Sequence, residues 1–124
     1  MVILMTYKEM KSALSIVDDP AVRLEMVMDF GANMAPVPDD AVCNVIAGCA
    51  SQVEICVRDG HFYGVADSAL VRGIVAIILA MVDGKDIDEI KKMDLQAEFN
   101  SLDLRLGTGR LGGVNSMISF FKNL

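Results

Sequence analysis

Val53-Glu54-Ile55-Cys56-Val57-Arg58-Asp59-Gly60-His61-Phe62-Tyr63-Gly64-Val65-Ala66 is the stretch on which the fold turns. Val53, Ile55 and Val57 alternate with Glu54, Cys56 and Arg58, the period of a strand with one buried face. Asp59-Gly60 suits a tight hairpin, because both central residues of that turn need positive φ. The return strand is expected over His61–Ala66, and a further strand over about Ala41–Ala47 precedes it. The three make a small antiparallel sheet.

The period changes on both sides. Thr6 can cap a helix running to about Val17, with Met10, Ala13, Leu14 and Val17 at helical spacing. Asp18-Asp19-Pro20 breaks it, and Asp19 followed by Pro20 forms an N-cap and first-turn pair for a second helix. That helix is expected to reach about Met34, with Leu24, Val27, Met28 and Gly31 on one face. Pro36 and Pro38 end it in an extended linker. Beyond the hairpin, Asp67 and Ser68 are capping candidates for a helix over Ala69–Val82, stopped by Gly84. This helix is apolar nearly all round and should lie buried across the sheet. Asp86 and Glu89 have capping-box spacing for a short helix to Met93. Another helix is expected over Leu95 to about Leu102, and a last one after a glycine-rich turn, Gly107–Gly113. The expectation is an α+β fold: a three-stranded antiparallel sheet with helices on one face, in one domain over residues 1–124.

Composition excludes several classes. At 124 residues, 53% hydrophobic and 23% charged, the chain can bury a core and is too apolar for disorder. A net charge of −6 with scattered Lys and Arg argues against nucleic acid. Leu70–Val82 is shorter than the roughly 20 residues of a membrane span and contains Arg72. Met1–Met5 lacks the basic flank and cleavage site of a signal peptide, so the default address is cytoplasmic.

Three cysteines, Cys43, Cys49 and Cys56, and one histidine, His61, are available for chemistry. An odd count in a reducing compartment argues against a disulfide framework. Spacings of five and six residues lack the paired arrangement of a zinc knuckle, so no metal site is expected. Cys49 differs from its fellows. It follows Gly48 and precedes Ala50, Ser51 and Gln52, small neighbours that leave a sulfur approachable. A buried, inert thiol explains the same composition equally well, and at this level the two readings stand level. Cys43 and Cys56, within strands, read as structural. Arg72, early in a very apolar helix, needs a partner: a carboxylate such as Asp67, or a site. Arg110, in the glycine-rich loop, is a candidate contact for an anion or thiolate. That loop lacks the pattern of a phosphate cradle, the lone His61 has no evident catalytic neighbours, and Asp39-Asp40 and Asp86/Asp88 read as linker and capping residues.

The segment Ile46-Ala47-Gly48-Cys49-Ala50-Ser51-Gln52-Val53 resembles the signature of the SufE-type sulfur-acceptor family. So do Phe62, Ala66-Asp67-Ser68, Leu70-Val71-Arg72-Gly73-Ile74-Val75-Ala76, Gly84-Lys85 with Glu89-Ile90, and Leu106 with Arg110, Gly113 and Val114, all in order. The chain departs from the pattern at Glu54, where the family usually has tryptophan. It also departs in an Asp67–Leu70 stretch two residues short, and at Arg105 and Gly112. The resemblance implies a SufE/IscU-like fold and a carrier role. Cys49 would take persulfide sulfur from a cysteine desulfurase, stimulate that enzyme, and pass the sulfur to an iron–sulfur scaffold protein. Gly48, Ser51, Gln52, Arg72 and Arg110 would support the thiol. No cofactor of its own is implied, since the pyridoxal phosphate belongs to the partner. Independent catalysis is not expected, and a homodimer is compatible with the reading. The alternatives are an IscU-type iron–sulfur scaffold, against which the cysteine spacing counts, and a non-catalytic interaction module.

Overall fold

A computed structural model describes residues 5–48 and 52–124, and over 108–112 it describes the backbone alone. Helices α1 (Tyr7–Ser15) and α2 (Pro20–Ala32) lead into β1 (Val42–Val45), β2 (Val53–Arg58) and β3 (His61–Ala66). Helices α3 (Ala69–Val82), α4 (Ile87–Lys92), α5 (Leu95–Asn100) and α6 (Thr108–Lys122) follow. The sheet order is β1-β2-β3, antiparallel throughout.

Local chemistry explains most boundaries. Thr6 accepts from the Glu9 amide while the Glu9 carboxylate accepts from the Thr6 amide, a full capping box at α1. The Asp19 side chain accepts from Ala21 and Val22, and Pro20 sits at N1, where its missing N–H costs nothing. The hairpin turn is of the anticipated kind: Asp59 has φ 51° and Gly60 φ 77°, and Arg58 pairs with His61. Asp86 caps α4 through the Glu89 amide, and Asp94 caps α5 through Ala97. Ser68 stands at the N-cap of α3 but makes no side-chain cap bond.

Helix α3 is the central element. Ten of its fourteen residues are buried, so it needs cover on every side. The sheet supplies one side, where a Cβ on Gly64 would strike Val75 and Leu79. Helix α2 supplies another at very short range. A Cβ on Gly31 would lie 2.5 Å from the Gly73 nitrogen, and one on Gly73 would overlap the Val27 carbonyl. Glycine at both positions is what lets the two backbones touch. Helix α6 closes the core with Val114, Met117, Ile118 and Phe121, and Phe121 meets Phe62 of the hairpin edge to face at 5.1 Å.

Several expectations need correction. The buried face of α2 is Val27, Phe30 and Gly31, whereas Met28 is exposed and Leu24 half-buried. Helix α6 begins at Thr108, inside the segment read as a glycine-rich turn. Its apolar positions Val114, Met117, Ile118 and Phe121 anchor the helix strongly enough to carry it back through Gly112 and Gly113, despite glycine's poor propensity. A disulfide, which the odd cysteine count weighed against, is present: Cys43 and Cys56 are bonded. The register sets them directly opposite one another on neighbouring strands. Ile46 donates to the Val53 carbonyl, so alternation along the ladder makes Cys43 and Cys56 a non-hydrogen-bonded pair, the kind whose side chains come closest. Counting cysteines cannot reveal this, because it depends on register.

Candidate functional site

The residues 47–52 connect β1 to β2, and Cys49, Ala50 and Ser51 among them lie outside the described residues. The geometry therefore concerns the frame on which the loop is mounted. Its two ends are tied together, since the Ile46 amide donates to the Val53 carbonyl at 2.9 Å. Both end residues are also sunk in the core, Val53 completely and Ile46 to 7% exposure. The loop thus rises from a rigid base.

Gly48, exposed like Ala47 before it, has φ 85°, a conformation that side chains disfavour. A Cβ there would also lie 2.6 Å from the Ser116 Oγ of α6. Glycine is favoured by the backbone angle, and any side chain there would displace the Ser116 hydroxyl. Gln52, on the other limb, is exposed.

Arg72 reaches this base from the opposite side. Its half-buried guanidinium donates through Nε and Nη2 to the Ala66 carbonyl, at 3.3 and 3.1 Å. Ala66 is the β3 residue directly across from Val53, where the loop rejoins the sheet. Arg72 is therefore bound to a backbone oxygen and not to Asp67, the carboxylate that its neighbourhood in sequence offered. It joins the start of α3 to the end of β3 and holds a cation one strand away from the loop's exit.

Arg110 belongs to the first turns of α6, the helix that meets Gly48 at Ser116. Six residues separate Arg110 from Ser116, a rise of about 9 Å along a helix. Gly48 and Gln52 thus flank one loop, Arg72 is bound one strand over at the Ala66 carbonyl, and Arg110 stands in the helix that meets Gly48. Two contributors escape a reading of the chain alone. Ser116 and the Ala66 carbonyl carry no motif of their own, and only register and helix packing single them out. His61 is exposed at the far end of the hairpin, beside the Arg58–Asp40 ion pair at 2.8 Å. Among the described residues no group of three or more His, Cys, Asp or Glu could hold a metal ion. No helix among them is long and apolar enough to cross a membrane. An apolar cleft lined by Met10, Phe30, Met34, Phe62 and Leu79 involves none of the described loop residues.

Comparison with known proteins places this frame. The model of the SufE, Fe-S metabolism associated, domain matches residues 8–124. An uncharacterized SufE-like protein of Rhizobium meliloti is 34% identical, the alignment covering 82% of this chain and 81% of that one. The sulfur acceptor protein CsdE of Escherichia coli is 32% identical over 71% of this chain and 66% of its own. The cysteine desulfuration protein SufE of Wigglesworthia glossinidia brevipalpis is 29% identical over 77% and 73%. A solution structure of a hypothetical protein from Thermus thermophilus shares the fold, with a TM-score of 0.72 over 96% of this chain and 94% of that one, at 14% identity.

Proposed function

Since the chain belongs to the SufE, Fe-S metabolism associated, family, we propose that it is a sulfur acceptor whose carrier atom is the Sγ of Cys49. The observation that carries this reading is the mounting of the loop. A cysteine follows a glycine of φ 85° in a connection whose ends are pinned by a ladder bond and by core burial. A sulfur that must enter another protein's active site needs a projecting loop, and a rigid base lowers the entropy lost on docking. Likeness to a named sulfur acceptor and a named desulfuration protein supports the same role.

The chemistry is thiol exchange. The Cys49 thiolate attacks the outer sulfur of a persulfide on a cysteine desulfurase. The new S–S bond forms on Cys49 as the old one breaks, and the partner's cysteine leaves as a thiolate. The donor enzyme is thereby freed for another turnover, which is how the carrier stimulates it. The reverse geometry, with Cys49 persulfide as donor, delivers sulfur to an iron–sulfur scaffold. No redox cofactor is needed, because each step exchanges one sulfur–sulfur bond for another. We assign supporting roles to Gly48, Ser51 and Gln52 as the loop's uncrowded frame. Arg72 braces the strand at the loop's exit, and Arg110 offers a cation for docking. The whole of residues 1–124 is read as one domain.

The test is to incubate the protein with a cysteine desulfurase and cysteine, then weigh the Cys49 peptide without reduction. The expected result is a gain of one sulfur atom on that peptide, and loss of desulfurase stimulation in Cys49→Ser. Retained stimulation in Cys49→Ser would overturn the assignment. Equal losses from Cys43→Ser, Cys49→Ser and Cys56→Ser would point instead to a shared cluster site.

A further inference from the structure

Strand β1 is held on one side only. All four of its residues are exposed, Val42 and Val45 to 69% and 68%, and its packing partner is β2. An edge strand so placed has little apolar burial to secure it, and such elements open locally at low cost. Its covalent tie to β2 is the Cys43–Cys56 bond, which lies on the sheet face turned away from α3, beside Tyr63 across from Cys56. The two sulfurs differ in access. Cys56 is fully buried, whereas Cys43 sits on the exposed strand. An incoming thiol therefore meets Cys43 first. Three residues further along, β1 gives way to the loop that carries Cys49.

We propose that Cys43 and Cys56 form a reversible thiol–disulfide site, exchanging with small cellular thiols, whose state sets the rigidity of β1, the strand that leads to Cys49. The expected effect on sulfur acceptance rests on the carrier reading of Cys49; the redox site and its effect on β1 do not. In the exchange, a small thiolate attacks the Cys43 sulfur, forming a mixed disulfide there and expelling Cys56 as a thiolate that takes up a proton. A second small thiolate attacks the attached sulfur, leaves as the symmetrical small disulfide, and returns Cys43 as a thiol. Two small thiols are oxidised to one disulfide, and the protein gains two electrons and two protons. In the oxidised state the loop is mounted on a stapled hairpin. In the reduced state β1 keeps its ladder bonds but loses the staple.

The full chain is equilibrated in dithiothreitol buffers poised from fully oxidised to fully reduced, quenched in acid, alkylated and weighed. One alkylated cysteine is expected at the oxidising end and three at the reducing end, with Cys43 and Cys56 changing together. Hydrogen exchange on the two end states is expected to show the ladder amides of Val42 and Asn44 exchanging about tenfold faster when reduced, with α3 unchanged. A doubly substituted Cys43→Ser, Cys56→Ser chain should show the fast pattern in every buffer. Sulfur acceptance from a desulfurase should be at least several-fold faster for the oxidised protein. A constant count of one or of three alkylated cysteines overturns the reversible site. Equal β1 exchange in the two states overturns the link to rigidity. Persulfide absent from Cys49, with the redox transition and exchange change both present, upholds the site and overturns the carrier reading alone.

Discussion

At the scale of single residues, Gly48 couples the backbone to the chemistry. Its φ of 85° strains any side chain, and a Cβ there would push the Ser116 hydroxyl aside. Gly48→Ala must adopt a left-handed conformation at a cost of about 1 kcal/mol, or swing the loop away from α6. Because Ile46 and Val53 stay buried, the loss of stability should remain near that figure in urea titrations. The larger effect is expected in the rate at which sulfur reaches Cys49, reduced about tenfold or more by misplacement of the loop. An unchanged transfer rate would show that the loop's start does not position the thiol. Arg72 illustrates a different economy: its guanidinium satisfies a backbone carbonyl at the sheet's end, so a cation within a very apolar helix is accommodated without a buried carboxylate.

At the scale of elements, α1 is fastened to α5 by a polar clasp. The Tyr7 hydroxyl donates to Glu98 at 2.6 Å, and the Lys11 ammonium donates to the same oxygen at 2.8 Å. The bonds from Lys11 and then Tyr7 hold the Glu98 carboxyl below its ordinary value of 4.5. Burial, with the Glu98 charge beside it, pushes the Tyr7 hydroxyl well above its ordinary range. The signs follow. A carboxylate depressed in the folded state contributes stability above its unfolded pKa and loses it as pH falls through the lower folded value. A hydroxyl raised in the folded state contributes below its unfolded pKa of 10.0 and loses that as pH rises further. The clasp is thus complete between these limits. As pH falls below about 4.5, α1 should loosen before the core does, seen as earlier amide exchange in residues 7–15. Glu98→Gln should remove the clasp's share of that acid dependence, leaving the share of Glu9, whose carboxyl Thr6 holds below its ordinary value at the cap of α1, with α3 still protected.

At the scale of the whole molecule, the hairpin, α3 and α6 meet around Phe121, which is fully buried and edge to face with both Phe62 and Phe120. Truncation of such a side chain leaves a cavity that close-packed neighbours fill only in part. Phe121→Ala is expected to cost about 4 kcal/mol, measured as a fall in the urea midpoint. Since α6 also carries Ser116 against Gly48, sulfur transfer should fall with it even in conditions where the variant stays folded. The mount of the Cys49 loop is in this sense a property of the entire core, because the helix that meets Gly48 is placed by the packing of Phe121 against Phe62.

Much of this was determined by the sequence alone. Alternation over 53–58, the Asp59-Gly60 turn and the return over 61–66 are local patterns, and the strands and hairpin stand where those patterns put them. The apolar run of α3, with Asp19-Pro20 and Gly84 as punctuation, is equally local, and so is the family signature around Cys49. Tertiary structure alone decided the rest. Cys43 and Cys56 are thirteen residues apart, and only the register of β1 on β2 makes them partners. Helix α6 runs through a glycine-rich stretch because packing outweighs propensity there. Arg72 chooses the Ala66 carbonyl over Asp67 because the end of β3 lies where its guanidinium reaches. Periodicity and turn chemistry act between neighbours in the chain and can be read from it; covalent pairing, close helix contact and the partners of a half-buried cation depend on which distant residues folding brings together.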